Sequence, residues 1–445
     1  MNLLDILTYR AQYQPDKQAY IFLQDGEKES ANLTYGELHK QASSIASHLQ
    51  SFKGERALLL YPSGLEFITT FFGCLYAGIV PVPLYPPRRN HNLSRLLSIV
   101  NDAQAKVAMT TTSILADIEK RWTSDVQLAQ LKLIATDAIE SNPKEFVPQS
   151  ISADSLAFLQ YTSGSTGNPK GVMVTHGNII HNQQIIQAAF GHSEKSIGVG
   201  WLPLFHDMGL IGHVLQPIYV GFPSILMPPV KFLQKPIGWL KAISKYKATT
   251  SGGPNFAYDL CARKVCQEDL IDLDLSSWDL AYIGAEPVRA ETLEKFGQKF
   301  ASSSFKYNAF YPCYGMAETT LFATGGYKNQ SPVIQGVKAS DLEQNLVVDT
   351  EIASPESRVF VGCGHPYIET SIVIVDSESL NSCSPEQIGE IWVSSSSVAA
   401  GYWNRSETTK ETFQSYVKDT GEGPFLRTGD FGFLINGELF VTGSL

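Results

Sequence analysis

The stretch "YTSGSTGNPKG" (residues 161–171) contains three glycines, two serines and two threonines, and it ends in Pro169, Lys170 and Gly171. Glycine lets backbone N–H groups approach a ligand closely and admits left-handed dihedrals, and a nest of such groups binds anions. The hydroxyls add further donors, and Lys170 adds a charge that persists at neutral pH. The composition fits a polyphosphate cradle, but a Gly/Ser/Thr run is also typical of a flexible surface loop.

The surrounding sequence favours the anion site, although the segment does not match the P-loop pattern. Lys170 follows Pro169, and Gly171 and Val172 stand where Ser or Thr would bind magnesium. The preceding "SLAFLQ" reads as a strand, and the following "THGNIIHNQQIIQAAF" reads as a helix capped by Thr175. A glycine-rich loop between a strand and a helix is an arrangement that binds phosphate. We therefore expect this loop to run from a strand into a helix.

The length, net charge and cysteine spacing of the chain limit the classes of protein to which it can belong. With 445 residues, of which 43% are hydrophobic, the chain can form two to four structural units. The net charge is −10, from 44 acidic and 34 basic residues, and the basic residues do not form a block. This balance argues against a nucleic-acid-binding surface. Six cysteines are scattered without a C-x-x-C pair, so we expect no disulfide framework, no zinc site and a cytoplasmic location.

The most apolar segment is "FITTFFGCLYAGIVPVPLYPP" (67–87), which glycines and prolines interrupt. These interruptions favour a buried helix that runs into a strand, so we expect no membrane span. The N-terminal "MNLLDILTYRAQYQPDK" reads as an amphipathic helix rather than an export signal.

Short aliphatic runs alternate with longer helix-like segments along much of the chain. Examples of the runs are "RALLLYP" and "KVAMTT", and an example of the segments is "LTYGELHKQASSIASHLQ". The alternation predicts an α/β protein with parallel sheets covered by helices. Residues 327–358 are polar and weakly periodic, as expected of an insertion, and short strands with turns after residue 360 predict a smaller β-rich subdomain.

Four further stretches and the opening segment together resemble the adenylate-forming superfamily, which contains acyl-CoA synthetases, luciferases and the adenylation domains of peptide synthetases. The stretches are "LPLFHDMGLIG" (202–212), "YIGAEPV" (282–288), "YPCYGMAETT" (311–320) and "LRTGDFGFLINGELFVTG" (426–443). The N-terminal "LTYGEL" and "FFGCLYAGIVPVPLYPP" also match, so the resemblance covers essentially the whole chain.

The resemblance implies the fold of the large N-terminal domain of that superfamily. We expect two α/β subdomains with helix-covered, mostly parallel sheets over residues 1–360, and a smaller distorted β-barrel subdomain over 361–440. Residues 441–445 would begin a hinge, beyond which the family carries a small C-terminal domain with a catalytic lysine. This sequence ends before such a domain, so we expect a chain cut at the hinge and weakly active; whether Ser444 and Leu445 are native stays open.

Within the superfamily, the chain looks like a fatty acyl-AMP ligase. The stretch "SGGPNFAYDLC" (251–261) resembles the acyl-pocket wall of that branch, and Ala317 stands where many relatives have threonine. The insertion at 327–358 resembles one held to hinder the use of CoA. The implied reaction activates a medium- or long-chain fatty acid with ATP as acyl-AMP, for transfer to the phosphopantetheine arm of an acyl carrier protein.

The resemblance also assigns roles to individual residues. Lys170 would carry charge near the pyrophosphate, Glu318 would ligate Mg²⁺, and Asp430 would accept the ribose hydroxyls. Tyr314 would stack on adenine, and the remaining cofactor-binding positions would surround the phosphates, the adenine edge and the AMP phosphate: Thr162, Ser163, Gly164, Ser165, Thr166, Gly167, Gly284, Ala285, Glu286, Pro287, Gly315, Met316 and Ala317.

His206 would donate where the fatty carboxylate meets the α-phosphate, since a histidine donor eases the repulsion between two anions. It need not act as a base, because a fatty carboxylate is already ionised at pH 7. The acyl tunnel would begin at four residues, namely Met208, Gly209, Ile211 and Phe256.

The sequence leaves two alternative functions open and disfavours a third. A long-chain fatty acyl-CoA ligase would share every motif except the insertion. A non-catalytic acyl- or nucleotide-binding module is favoured only if the chain naturally lacks its C-terminal domain. An amino-acid-activating domain is disfavoured, because its amine-binding aspartate normally lies in an F-D-x-S stretch and this chain has "FHDM".

Overall fold

The computed structural model describes residues 1–88, 93–141, 146, 150–162 and 168–444. The chain forms two compact units. The first unit consists of Met1–Gln183, Gly200–Lys231 and Tyr402–Ser406. The second unit consists of Gln184–Val199, Phe232–Gly401 and Glu407–Leu445.

Helices form where capping residues precede amphipathic or buried segments. For example, Thr34 and Glu37 form a reciprocal capping box at the start of α2, and Gly78 ends α3 in the left-handed conformation. In chain order the α-helices are α1 (Leu3–Tyr13), α2 (Tyr35–His48), α3 (Leu65–Ala77), α4 (Ser94–Ala103), α5 (Thr112–Trp122), α6 (Val126–Ala129), α7 (His176–Phe190), α8 (Gln216–Val220), α9 (Pro229–Gln234), α10 (Ile237–Tyr246), α11 (Asn255–Lys264), α12 (Ala290–Phe300), α13 (Ala339–Leu342) and α14 (Ser406–Phe413).

The strands are mostly short and rich in β-branched or aliphatic residues. In chain order they are β1 (Gln18–Phe22), β2 (Ala31–Thr34), β3 (Arg56–Leu60), β4 (Val80–Leu84), β5 (Val107–Thr110), β6 (Lys132–Ala135), β7 (Leu156–Tyr161), β8 (Gly171–Thr175), β9 (Gly198–Gly200), β10 (Ser224–Leu226), β11 (Thr250–Gly253), β12 (Leu280–Ile283), β13 (Phe310–Gly315), β14 (Phe322–Gly325), β15 (Ile334–Lys338), β16 (Ser357–Val361), β17 (His365–Pro366), β18 (Ser371–Val375), β19 (Gly389–Ser394), β20 (Leu426–Ile435) and β21 (Glu438–Ser444).

The first unit contains a four-stranded parallel sheet in the order β4–β3–β5–β6. In the same unit β1 pairs in parallel with β10 and antiparallel with β2, and β7 pairs antiparallel with β8. A buried apolar cluster joins the parallel sheet to helices α4 and α5, and Leu159 and Tyr161 of β7 insert into it. This packing fixes β7, which leads into the glycine-rich segment.

The second unit contains a parallel series β9–β11–β12–β13, which β14 and β17 extend in the antiparallel sense. Strands β15 and β16 form a separate antiparallel pair. Strands β18 to β21 form a four-stranded antiparallel sheet in sequence order. The predicted α/β fold with helix-covered, mostly parallel sheets is therefore confirmed, whereas the domain boundaries at residues 360 and 440 stay predictions.

Two local predictions concern the apolar segment at 67–87 and the opening loop. The apolar segment forms the buried helix α3 followed by the parallel strand β4, as expected. The direct passage from loop to helix is wrong: strand β8 intervenes and pairs with β7, so the loop joins two antiparallel strands. Thr175 nevertheless caps α7, because its hydroxyl accepts from the Asn178 N–H at 3.0 Å.

Within the described ranges, every helix is too short or too polar to cross a bilayer.

Candidate active site

The described ends of the glycine-rich segment face each other across the β7–β8 pair. Tyr161 lies opposite Gly171 in the register, and the Thr162 N–H donates to the Lys170 carbonyl at 3.2 Å. A side chain at position 171 would place its Cβ 2.9 Å from the Tyr161 ring, so the close approach requires glycine. The predicted phosphate-binding residues Ser163, Gly164, Ser165, Thr166 and Gly167 lie outside the described residues.

The Lys170 side chain lies beside the ring of Tyr402, a residue outside the sequence motifs. Its ammonium nitrogen lies 5.2 Å from the centroid of the Tyr402 ring. This distance is within the range of a cation–π interaction, which attracts a cation without neutralising it. The Tyr402 ring therefore attracts the Lys170 ammonium at the end of the glycine-rich segment without opposing its charge.

His206 lies near the same strand. The Gln160 amide donates to the Phe205 carbonyl at 2.8 Å, which ties β7 to the turn that carries His206. The side chain of His206 reaches solvent, but nearby protein limits its hydration and lowers its pKa, and the Arg95 cation lowers that pKa further. The imidazole is therefore neutral at pH 7, with one N–H available as a donor, as the predicted role requires.

A cavity of about 430 Å³ opens beside His206 in the first unit. Its walls are mostly apolar, and Arg95 and His206 supply the charged and polar groups. The Arg95 guanidinium also donates to the Thr162 carbonyl at 3.0 Å. The lining residues are Pro83, Leu84, Tyr85, Pro87, Leu93, Arg95, Leu96, Ile99, Tyr161, Phe205 and His206.

Three predicted tunnel residues lie on a π-helix that spans Met208–Leu215. The Asp207 carboxylate caps this helix by accepting from the Met208 N–H at 2.7 Å. Burial raises the pKa of Asp207 to about 6. Gly209 is required sterically, because a Cβ there would lie 2.1 Å from a backbone carbonyl oxygen. The buried Gln183 amide donates to the Ile211 carbonyl at 3.3 Å and so satisfies a backbone group of the widened helix. Such π-turns occur often at functional sites.

In the second unit, Tyr314 and Asp430 form one hydrogen-bonded pair. The Tyr314 hydroxyl donates to Asp430 Oδ2 at 2.6 Å. Burial raises the pKa of Asp430, and the hydrogen bond from Tyr314 partly offsets this rise. Burial also holds the pKa of Tyr314 well above its ordinary value, and the Asp430 charge adds to that effect. The two residues were predicted to contact separate parts of the nucleotide, and the structure shows that they also orient each other.

The Gly284–Pro287 turn follows β12 in this unit. Ala285 has a left-handed φ of +67°, which is uncommon for a residue with a side chain. Glu286 accepts from the Phe256 N–H at 2.5 Å, and this bond links the turn to the start of α11. The Phe256 side chain is 42% exposed, so its place in an acyl tunnel stays a prediction.

Glu318 lies in a short 3₁₀ turn, Ala317–Thr319, and is buried. The turn is built close to β13, because a Cβ at Gly315 would lie 1.6 Å from the Leu321 carbonyl oxygen. Among the described residues, no group of three or more His, Cys, Asp or Glu side chains could hold a metal ion. A single buried carboxylate nevertheless suits Mg²⁺, which takes one or two protein carboxylates together with phosphates and water.

The α/β fold and the ordered motifs agree with a comparison to known protein families. The profile of the family described as AMP-binding enzyme matches residues 7–403, and the chain belongs to this family. The resemblance stated from the motifs is thereby confirmed.

Two proteins similar to this chain are named as ligases that act on fatty acids. The chain is 46% identical over 454 residues to JamA of Moorena producens (strain JHB), a medium-chain-fatty-acid–[acyl-carrier-protein] ligase, covering 100% of this chain and 76% of JamA. It is 34% identical over 450 residues to a long-chain-fatty-acid–AMP ligase of Mycobacterium tuberculosis, covering 97% of this chain and 76% of that enzyme.

A solved structure of a fatty acyl-adenylate ligase from L. pneumophila, in complex with acyl adenylate and pyrophosphate, is also similar. It matches with a TM-score of 0.93 and 43% identity, covering 100% of this chain and 77% of that one.

One group of residues in the first unit lies mostly outside the motifs. Asp102, Tyr161, Tyr402 and Arg405 contact one another or the ends of the glycine-rich segment. The signal available in the sequence was "GYWNR" (401–405), which places two aromatic rings and a cation in a loop.

Proposed function

We propose that this chain activates a medium- or long-chain fatty acid with ATP as acyl-AMP, for transfer to the phosphopantetheine thiol of an acyl carrier protein. The observation that carries the proposal is the 43% identity, over the whole of this chain, to an enzyme whose structure holds acyl adenylate and pyrophosphate. The likeness to JamA supports an acyl carrier protein as the acceptor.

In the proposed reaction, a carboxylate oxygen forms a bond to the α-phosphorus of ATP, and the bond from that phosphorus to the bridging oxygen of pyrophosphate breaks. The fatty carboxylate is already ionised at neutral pH, so no base is needed. The main obstacle is repulsion between two anions, which positioned cations and N–H donors reduce. His206, neutral because nearby protein limits its hydration and lowers its pKa, supplies such a donor, and Lys170 supplies a cation.

Tyr314 and Asp430 are the proposed groups for the nucleoside. The Tyr314 ring offers a stacking surface for adenine, and the Asp430 carboxylate, oriented by the Tyr314 hydroxyl, accepts ribose hydroxyls. The backbone of Gly284 to Pro287 reads the adenine edge. Glu318 would hold Mg²⁺, which supplies charge neutralisation on the phosphates when bound. The Gly315–Ala317 segment supports the same nucleotide.

A cytoplasmic location is also part of the proposal. All six cysteines are free thiols, and three of them, Cys74, Cys261 and Cys363, are buried. Free thiols are usual in reducing compartments.

The test supplies the chain with ATP, Mg²⁺ and a series of radiolabelled fatty acids, followed by either CoA or a phosphopantetheinylated acyl carrier protein. We expect acyl-AMP to accumulate with CoA and to be consumed with the carrier protein. Abundant acyl-CoA would instead favour the CoA ligase, a function for which one relative, a putative fatty-acid–CoA ligase of Mycobacterium leprae, is named.

Two variants separate catalysis from passive binding. Glu318→Gln keeps the size of the side chain but removes the metal-binding charge, and we expect acyl-AMP formation to fall by at least about a hundredfold, as for loss of one strong electrostatic contact in catalysis. Asp430→Asn should weaken ATP binding. As the control, Glu291→Gln changes an exposed carboxylate, whose side chain is 73% accessible, and should change neither quantity. Binding of an acyl-AMP mimic without any turnover would support the non-catalytic alternative.

A further inference from the structure

We propose that the segment Tyr402–Arg405, together with Asp102, positions the Lys170 side chain by holding the described residues on either side of the glycine-rich segment. The inference rests on the proposed function, because that function gives Lys170 its role toward the pyrophosphate part of ATP. All residues of this assembly belong to the first unit.

Backbone contacts attach the segment to the strand that leaves the loop. The Trp403 N–H donates to the Gly171 carbonyl at 2.8 Å, and Tyr402 forms an isolated antiparallel bridge with Val172. The segment thus adds a short third strand to the β7–β8 pair, on the other side of β8 from β7. Because the Trp403–Gly171 contact is a backbone hydrogen bond, it fixes the segment beside β8 irrespective of the side chains.

Asp102 connects the entering end of the loop to this segment. One of its oxygens, Oδ2, accepts from the Tyr161 hydroxyl at 2.6 Å, and the other, Oδ1, accepts from the Arg405 guanidinium at 2.8 Å. Arg405 also donates to the Pro169 carbonyl at 3.3 Å. A single carboxylate therefore couples Tyr161, at the end of β7, to Pro169, just before β8.

Partial burial and two hydrogen bonds of Arg405 hold the Asp102–Arg405 ion pair in one geometry. The Asp102 side chain is 13% exposed and that of Arg405 is 28% exposed, so solvent screens the pair less than a surface ion pair. The guanidinium contacts two acceptors on different parts of the chain, which fixes its orientation. Burial raises the pKa of Tyr161, and the bond to Asp102 raises it further, so this hydroxyl stays a donor.

Lys170 is held differently. Its ammonium lies 5.2 Å from the centroid of the buried Tyr402 ring. A carboxylate in this place would hold the ammonium but would cancel its charge, whereas the ring attracts it and leaves the charge for an incoming phosphate. Tyr402 is therefore a positioning residue, and Lys170 is the group that meets the anion.

Two contacts fix the segment itself to the parallel sheet and helix α4. The Arg56 guanidinium lies 4.9 Å from the centroid of the Trp403 ring, and the Asn404 amide donates to Gln104 Oε1 at 3.0 Å. The segment is thus anchored on its far side as well as on the loop, as a positioning element requires.

The test compares Tyr402→Leu with the conservative Tyr402→Phe, with inorganic pyrophosphate and Mg²⁺ as the probe in calorimetry. We expect Tyr402→Leu to weaken pyrophosphate binding about threefold or more, which is the size of a partly exposed cation–π contact. Tyr402→Phe, which keeps the ring, should bind as the unchanged chain does. AMP, which lacks the β- and γ-phosphates, should bind all three proteins equally. In a Lys170→Met background, Tyr402→Leu should have no further effect.

Tyr161→Phe and Asp102→Asn test the hydrogen bonds that link Tyr161 to Arg405 through Asp102. They also provide a test if Tyr402→Leu does not fold. Both should weaken pyrophosphate binding relative to AMP binding, and Asp102→Asn should have the larger effect, since it leaves Arg405 without its carboxylate. Equal pyrophosphate affinity in folded variants of both halves would overturn the inference and leave the proposed function intact. An equal loss for AMP and pyrophosphate would show general structural damage and would also overturn it. Failure of the unchanged chain to bind pyrophosphate and to form acyl-AMP would instead refute the proposed function.

Discussion

Tyr314→Phe removes the hydroxyl that donates to Asp430 Oδ2 at 2.6 Å and leaves the aromatic ring in place. A hydrogen bond to a charged group contributes about 1.5–3 kcal/mol. Because Asp430 is only partly buried, we expect the lower end of that range, about 1.5 kcal/mol, as the coupling energy of a double-mutant cycle. The cycle consists of the unchanged chain, Tyr314→Phe, Asp430→Asn and the double variant, with the free energy of unfolding measured in urea at pH 7.

The pH dependence provides a second readout. Burial raises the pKa of Asp430 above its ordinary value of 3.8, and the Tyr314 hydroxyl opposes this rise, so Tyr314→Phe should raise that pKa further. An acid with a raised pKa contributes stability that is complete below its ordinary pKa and is lost as pH rises through the folded-state value. The cost of Tyr314→Phe should therefore be small in acid and grow toward neutral pH.

Nucleotide binding should respond in the same direction. If ionised Asp430 accepts the ribose hydroxyls, the loss of ATP binding on acidification should begin at a higher pH in Tyr314→Phe than in the unchanged chain. A coupling energy below about 0.5 kcal/mol, which is the usual error of additivity, would refute the reasoning. So would identical pH profiles of ATP binding in the two proteins.

The remaining predictions concern packing, titration and a buried charge. Gly209→Ala should destabilise the chain by about 1–3 kcal/mol, because the added Cβ would lie 2.1 Å from a carbonyl oxygen; Gly212→Ala, which meets nothing within 4 Å, is the control in urea unfolding. Burial raises the pKa of Asp207 to about 6, so its stabilising contribution should be lost as pH rises from 3.8 to that value. Asp207→Asn should therefore flatten the dependence of the unfolding free energy on pH. The same pH dependence in the variant and the unchanged chain would contradict this. Glu390 is 1% exposed and contacts Arg427 at 2.8 Å, so Glu390→Gln should cost about 3 kcal/mol in thermal or urea unfolding, and a cost under about 1 kcal/mol would show that the pair is dispensable.

Local patterns predicted the secondary structure well where one segment carries its own signal. The apolar segment at 67–87 forms helix α3 and strand β4, because glycines and prolines mark where the helix must end. The segment after the loop was predicted less well. The sequence does not predict "GVMVT" (171–175) as a strand, because it alternates little and because its pairing with β7 depends on neighbours that the local pattern does not reveal.

The amino-acid sequence by itself determined the class of fold, since the alternation of strands and helices depends on local composition. It also indicated the family, through the resemblance of five ordered motifs to a known superfamily. It also selected Lys170 and Asp430. Only the tertiary structure decided which residues hold them. The Tyr402 ring lies beside the Lys170 ammonium, and the Tyr314 hydroxyl donates to Asp430, which is 116 positions away in the chain. The physical reason is that such contacts arise when packing brings distant segments within a few ångströms, and no local pattern encodes that distance.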